Sequence, residues 1–160
     1  PMLITQGYDR NGRILEDHQA DQRIALDEDV AFQITYLLEG VVQSGTGKIA
    51  RSLNRPVAAK TGTTDDYSDA WFIGYSPELA VGVWVGYDTR TPIGPGETGS
   101  MAAGPIWVSF MQEALKHKAP SYFQVPSDIV FRKIDARNGE PAASNTVDVV
   151  EEAFRLKWRK

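Results

Sequence analysis

The residues best suited to chemistry form one run, Lys60-Thr61-Gly62-Thr63-Thr64. Lys60 supplies a positive point charge, and on a strand Thr61 and Thr63 present two hydroxyls to the same face. Gly62 has no side chain and lets a ligand backbone approach. On an edge strand, free N–H and C=O groups would also pair with an extended peptide. The run, with Thr64 included, predicts a site for an anionic acyl substrate; an ordinary strand followed by a turn is the alternative.

Two other catalytic patterns fail on inspection. The segment Ser44-Gly45-Thr46-Gly47-Lys48 resembles a phosphate loop, but that pattern needs a glycine in place of Val42 and a hydroxyl residue in place of Ile49. His18 and His117 are the only histidines, and neither has a second ligand nearby in the sequence. A histidine metal site or a Ser-His-Asp triad is therefore not expected.

The amino-acid composition argues against several further classes of function. The chain has 160 residues, 17 Lys and Arg against 21 Asp and Glu, and no cysteine. Scattered charge of net −4 argues against nucleic-acid binding, and the lack of cysteine excludes disulfides and thiolate chemistry. Asp65, Asp66 and Asp69 cluster, but loop carboxylates are usually solvated. We expect one domain with no metal and no cofactor, and no apolar run approaches the roughly 20 residues of a membrane span.

A sheet must position the 60–64 run. Strands are predicted at Val57–Thr64, Ala70–Tyr75 and Leu79–Tyr87. In the third strand, one face carries bulky residues such as Val83, while the other carries small ones such as Gly82. Small residues allow close packing of a helix, so a sheet covered on both sides is expected.

Apolar spacing and turn residues predict the remaining elements. They are a hairpin of Met2–Tyr8 with Arg13–Glu16, a helix over Glu28–Gln43, a loop over Thr91–Gly104, a helix over Pro105–His117, a strand over Ile129–Ile134 and a short helix over Val149–Leu156. The predicted class is α+β, with an antiparallel sheet flanked by helices.

A series of motifs runs along the chain in a fixed order. They are Gly45-Thr46-Gly47, Arg55-Pro56, the 60–64 run, Asp69-Ala70-Trp71-Phe72-Ile73-Gly74-Tyr75, Val83-Trp84-Val85-Gly86-Tyr87-Asp88, Thr98-Gly99, Pro105-Ile106-Trp107, Val125-Pro126, Ile134-Asp135 and Glu151-Glu152-Ala153-Phe154. With these motifs the sequence resembles the transpeptidase domain of class A penicillin-binding proteins, whose third signature is Lys-Thr-Gly.

The resemblance implies peptidoglycan cross-linking through a serine acyl-enzyme, inhibited by β-lactams and needing no cofactor. It implies a catalytic role for Lys60 in the proton transfers of acylation, and for the Thr63 N–H as half of an oxyanion hole. Thr61 and Thr63 would hold the terminal carboxylate of a D-alanyl-D-alanine stem peptide or the acid group of a β-lactam. Gly62 and Thr64 complete the implied substrate-binding set.

The family's nucleophile motif, Ser-x-x-Lys, does not occur in the sequence. Ser52-Leu53-Asn54 fits the family's Ser-x-Asn motif formally, but it directly precedes the Lys60 strand and is interpreted as loop. We therefore expect an incomplete half of a serine β-lactamase/transpeptidase-like fold, inactive alone. Residues 1–120 would be the C-terminal half of the transpeptidase domain and 121–160 a C-terminal extension. The implied partner is the missing N-terminal half, in the same or a companion chain.

Family membership implies a site of action outside the cytoplasm, in the periplasm or cell envelope. A membrane anchor and a glycosyltransferase module would lie elsewhere in the parent protein. Two alternatives remain at this point: a serine β-lactamase or DD-carboxypeptidase that shares the signature, and a non-catalytic binding or scaffold module.

Overall fold

A computed structural model describes residues 4–19 and 23–156. The strands are β1 (Gln6–Tyr8), β2 (Ile14–Asp17), β3 (Ala58–Thr63), β4 (Asp69–Tyr75), β5 (Ala80–Gly86), β6 (Ile129–Asp135) and β7 (Val149–Arg155). The helices are α1 (Glu28–Gln43), a 3-10 helix (Lys48–Leu53), a π-helical turn (Gly99–Ala103) and α2 (Gly104–Leu115). This is the predicted α+β class with antiparallel pairing. None of the described helices is both long and apolar enough to cross a membrane.

The central sheet has the order β3-β4-β5, with every pair antiparallel. Its register sets Thr61 opposite Phe72 and Phe72 opposite Val83, so these side chains share one face. Helix α2 covers that face. The ring centroids of Phe72 and Trp107 lie 5.1 Å apart, and Trp107 Nε1 donates to the Val81 carbonyl oxygen at 3.0 Å. The main core therefore lies between α2 and this face of the sheet.

The expectation of a sheet covered on both sides is wrong for the described residues. On the face opposite α2, the side chains of Trp71, Ile73 and Trp84 remain 43%, 52% and 42% exposed. Helix α2 packs on the face of β5 that carries Val81 and not on the face that carries Gly82. Its close approach to the sheet is made at Gly74 of β4, where a Cβ would lie 2.8 Å from the Trp107 ring. Because apolar burial scales with area, the valine face gives a helix more to bury.

Helix α1 begins and ends where the sequence predicts, and its first half is held by the β6–β7 hairpin. Asp29 Oδ2 lies 2.5 Å from Arg155 Nε, and both side chains are largely buried. Gln33 Nε2 donates to the Ala153 carbonyl oxygen at 2.9 Å. Although burial alone raises the pKa of Asp29, the Val30 N–H and the Arg155 guanidinium together hold that pKa below its usual value.

The predicted short helix over Val149–Leu156 is wrong: β7 occupies Val149–Arg155 and pairs along its whole length with β6. Val150 lies opposite Ile134, and Ala153 lies opposite Phe131. Apolar residues in so short a segment fit a helix or a strand equally well, and the long-range pairing with β6 decides between them.

The predicted loop over Thr91–Gly104 ends early, because the π-helical turn runs directly into α2. The Thr98 side chain caps this turn by accepting a hydrogen bond from the Met101 N–H at 3.3 Å. The predicted N-terminal hairpin forms as β1 and β2, although residues 2 and 3 of its first strand lie outside the described residues.

Candidate functional site

The site strand β3 presents an open backbone edge. The Thr64 N–H donates to the Asp69 carbonyl oxygen at 3.1 Å, and Thr63 lies opposite Ala70. Since hydrogen bonding alternates along an antiparallel pair, Gly62 directs its peptide groups toward β4, and Thr61 and Thr63 direct theirs away. Within the described part of the chain, β3 has a strand neighbour on the β4 side alone. Within the 60–64 run, the N–H and C=O groups of Thr61 and Thr63 thus face outward from this edge.

Lys60 lies on the same edge. Its side chain is exposed, and Nζ donates to the outward-facing carbonyl oxygen of Thr61 at 2.7 Å. The ammonium is therefore folded over the open side of the strand, and its predicted role in acylation stays a prediction.

The two site hydroxyls lie on the face of β3 that α2 covers farther along the sheet. Thr61 Oγ1 lies 2.7 Å from Thr46 Oγ1, in the turn that follows α1. Thr63 is exposed, and its Oγ1 accepts a hydrogen bond from the Gly99 N–H at 2.9 Å. The side chain of Thr61 is therefore held by the turn after α1, and that of Thr63 is held by the π-helical turn.

Two glycines explain how these elements approach so closely. A Cβ on Gly99 would lie 2.2 Å from the Trp71 carbonyl oxygen and 2.5 Å from that of Gly62, so the π-helical turn rests directly on the sheet backbone. A Cβ on Gly62 would lie 3.3 Å from Trp71 Cβ. Gly62 thus has a packing reason for its small size, beside the ligand approach that the sequence predicts.

Thr64 differs from its neighbours in the run. Its Oγ1 accepts hydrogen bonds from the Ser68 and Asp69 N–H groups, both at 2.9 Å, and so shapes the β3–β4 turn. The predicted substrate contact of Thr64 stays a prediction, and its hydroxyl oxygen is already used within the protein.

The acidic cluster is used within the same turn. The Arg90 guanidinium and the Ser68 hydroxyl hold the pKa of Asp66 far below its usual range, so Asp66 stays ionised. Asp69 Oδ1 accepts a hydrogen bond from Trp84 Nε1 at 2.8 Å. Among the residues that the structure describes, no group of three or more His, Asp or Glu side chains is arranged to hold a metal ion.

The segment leading into β3 is anchored by Arg55. Its Nη2 donates to the Lys118 carbonyl oxygen at 2.8 Å, and its Nη1 lies 3.8 Å from Glu78 Oε2 in a largely buried ion pair. Hydrogen bonds from Ser121 and Ser76 lower the pKa of Glu78 to about 2, so the pair stays charged at neutral pH. This contact ties the start of the site strand to the end of α2.

Ser52 and Asn54 make local contacts and lie in the 3-10 helix and at its end. Ser52 Oγ donates to the Ile49 carbonyl oxygen at 2.9 Å, and Asn54 Nδ2 donates to the Ser52 carbonyl oxygen at 3.4 Å. Ser52 is thus helical, where the sequence predicts loop. Thr46 and Gly99, by contrast, contact the site threonines, yet sequence reasoning gives them no role beyond membership of two motifs.

Comparison with known proteins defines the class. The family model described as the penicillin-binding protein transpeptidase domain matches residues 1–112, and the chain belongs to this family. Within it, the chain is 40% identical over 148 residues to penicillin-binding protein 1A of Rickettsia prowazekii, and 39% identical over 131 residues to that of Pseudomonas aeruginosa. These matches cover 92% and 81% of this chain, but only 18% and 16% of the relatives.

A solved structure shows the same fold. The crystal structure of penicillin-binding protein 1A from Haemophilus influenzae superposes with a TM-score of 0.79 at 24% identity, over 97% of this chain and 29% of that one. The family resemblance drawn from the sequence is confirmed, and the alternatives of a β-lactamase, a carboxypeptidase or a scaffold module are not favoured.

Proposed function

We propose that this chain supplies the substrate-binding strand of a peptidoglycan DD-transpeptidase. The observation that carries the proposal is the open edge of β3, where an exposed ammonium lies beside two outward-facing peptide units and two fixed hydroxyls. Family membership supports it, because Lys-Thr-Gly is a signature of enzymes that form a serine acyl-enzyme.

The open edge binds the donor stem peptide as an added strand. Thr61 and Thr63 donate hydroxyl protons to the carboxylate of the terminal D-alanine, and the scissile carbonyl comes to the outward N–H of Thr63. That N–H stabilises the developing oxyanion, and loss of one such donor typically costs about 3 kcal/mol of transition-state stabilisation. Lys60 contacts the hydroxyl of the Ser-x-Asn motif and assists proton transfer.

Acyl transfer then proceeds in two balanced steps. A serine oxygen attacks the carbonyl carbon between the two D-alanines, its proton passes to the leaving nitrogen, and the terminal D-alanine departs. The amine of an acceptor peptide attacks the resulting ester, the new amide forms, and the serine regains its proton. A β-lactam acylates the same serine by ring opening. Its amine leaving group stays covalently attached to the acyl group, so it does not depart as the terminal D-alanine does.

The nucleophile comes from other sequence, since no Ser-x-x-Lys occurs among the 160 residues. The partner is the half of the transpeptidase domain that bears Ser-x-x-Lys and Ser-x-Asn, in the same polypeptide or a companion chain. The assembled enzyme works outside the cytoplasm, at the cell envelope, with its membrane anchor and glycosyltransferase module outside this sequence.

Labelling with a fluorescent penicillin tests the proposal. The 160-residue chain alone should give no covalent adduct, whereas the parent polypeptide carrying Ser-x-x-Lys should label stoichiometrically at that serine and cross-link stem peptides. Lys60→Ala and Thr63→Val in the parent should each slow labelling, while Ser52→Ala should not. A stoichiometric adduct on the chain alone, or a parent polypeptide that never labels, would refute the proposal. Hydrolysis of stem peptides without cross-linking would instead identify a carboxypeptidase.

A further inference from the structure

The contact between Thr46 and Thr61 is not explained by substrate binding alone. Thr46 is exposed and comes from the turn after α1, yet its Oγ1 lies 2.7 Å from the Oγ1 of a proposed carboxylate ligand. Thr46 belongs to the Gly45-Thr46-Gly47 motif, to which the proposed mechanism gives no task.

The hydrogen-bonding capacity of a hydroxyl shows what that task is. A threonine hydroxyl has a single proton to donate and two lone pairs that accept. At Thr63 the Gly99 N–H occupies a lone pair at 2.9 Å, because an N–H can only donate. The Thr63 proton is therefore directed elsewhere. At Thr61 the same arrangement exists when the Thr46 hydroxyl donates and the Thr61 oxygen accepts.

We propose that Thr46 is a positioning residue, whose hydroxyl donates to Thr61 Oγ1 and thereby directs the Thr61 proton to the substrate carboxylate. The inference rests on the proposed function. With substrate bound, the chain of donors runs from Thr46 through Thr61 to the anion, so both site threonines use their protons outward. A hydrogen bond to a charged acceptor is stronger than a neutral one, and a preceding donor strengthens it further.

The turn that carries Thr46 is built to hold it in place. The Gly45 and Gly47 N–H groups both donate to the Val41 carbonyl oxygen, at 3.0 and 3.1 Å. A Cβ on Gly45 would lie 2.9 Å from that same oxygen, so the turn closes onto the helix end only with glycine there. A fixed donor loses little conformational freedom when the substrate binds.

The experiment measures the acylation rate constant of the parent polypeptide with benzylpenicillin and with its methyl ester, which lacks the negative charge. Thr46→Val should slow reaction with the acid about 3- to 10-fold, the range for one lost hydrogen bond, and change reaction with the ester less than about twofold. Thr46→Ser should restore the acid rate. Ser44→Ala is the matched control, since Ser44 Oγ donates to the Gly40 carbonyl oxygen in the same turn.

A double-mutant cycle keeps the inference testable even when Thr46→Val is less stable. If Thr46 acts through Thr61, adding Thr46→Val to Thr61→Val should produce no further loss with the acid. Additive losses, or equal losses with acid and ester, would overturn the positioning role and leave the proposed function intact. A wild-type protein that is not acylated at all, or that shows no preference for the acid, would overturn the proposed carboxylate site as well.

Discussion

The two faces of the β3–β4–β5 sheet are built from alternate residues of the same strands, yet they differ completely in cover. Phe72 on one face has no exposed surface, and it packs against Trp107. Trp71 and Ile73, its neighbours in β4, are 43% and 52% exposed on the other face. Alternation in a strand explains which residues share a face, but only the elements packed on each face determine burial.

The difference shows that only one face of the sheet is covered by the described part of this chain. The α2 face has large side chains that interdigitate and a Trp107 Nε1 whose hydrogen bond is satisfied. The opposite face presents Trp71, Ile73 and Trp84 together, which is the kind of contiguous apolar patch that marks an interaction surface. In the described part of the chain, this is the face of the sheet that stays uncovered.

The largest effect should come from the covered face. Trp107→Ala removes a fully buried side chain and should lower the free energy of unfolding by about 3–5 kcal/mol. Trp71→Ala on the open face should cost about 1 kcal/mol or less, because much of the ring remains in water. Denaturant titration of the two variants measures both values, and similar losses would contradict the contrast between the faces.

A smaller loss of stability should follow when a side chain is added where the π-helical turn touches the sheet. Gly99→Ala places a methyl group against the carbonyl oxygens of Trp71 and Gly62, which are backbone atoms of the β3–β4 pair, and should destabilise the fold by about 1–3 kcal/mol. Gly40→Ala is the matched control. A Cβ there meets nothing within 4 Å, and in a helix alanine should stabilise by about 0.5–1 kcal/mol. Thermal melting of both variants distinguishes steric conflict from a general effect of alanine.

The smallest change in stability is expected from substitutions on the open face. For these substitutions the informative measurement is self-association of the chain. Trp71→Ser combined with Ile73→Thr should alter the free energy of unfolding by no more than about 1 kcal/mol. The wild-type chain should self-associate through this patch and the open strand edges, and the variant should do so less. Sedimentation over a range of concentrations measures this, and a wild-type chain that stays monomeric throughout would contradict it.

Local signals in the sequence predicted α1 and the three central strands well. The helix from Glu28 to Gln43 carries its own apolar spacing and acidic first turn, so no distant contact is needed to specify it. The Lys60 strand was predicted from another local signal, a run from Val57 to Thr64 that is entered after Pro56. The cover of the sheet was predicted wrongly, because the choice of α2 between two faces depends on the total area buried and not on one strand's pattern.

The parts of the site that the sequence did not predict depend on distant contacts. Thr46 meets Thr61 across 15 residues, and Gly99 meets Thr63 across 36. Neither spacing has a local periodicity to reveal it. The β7 strand was missed for the same reason, because its pairing with β6 is a tertiary choice.

The attachment of α1 to the β6–β7 hairpin bears on the order in which the chain folds. Its contacts join residues 33 and 153, and residues 36 and 151, over separations of 120 and 115 positions. Contacts this far apart slow folding, and during synthesis the N-terminal partner emerges first. The helix that carries the Thr46 turn is therefore synthesised before β7, and it is held in place only once Arg155 has emerged to meet Asp29.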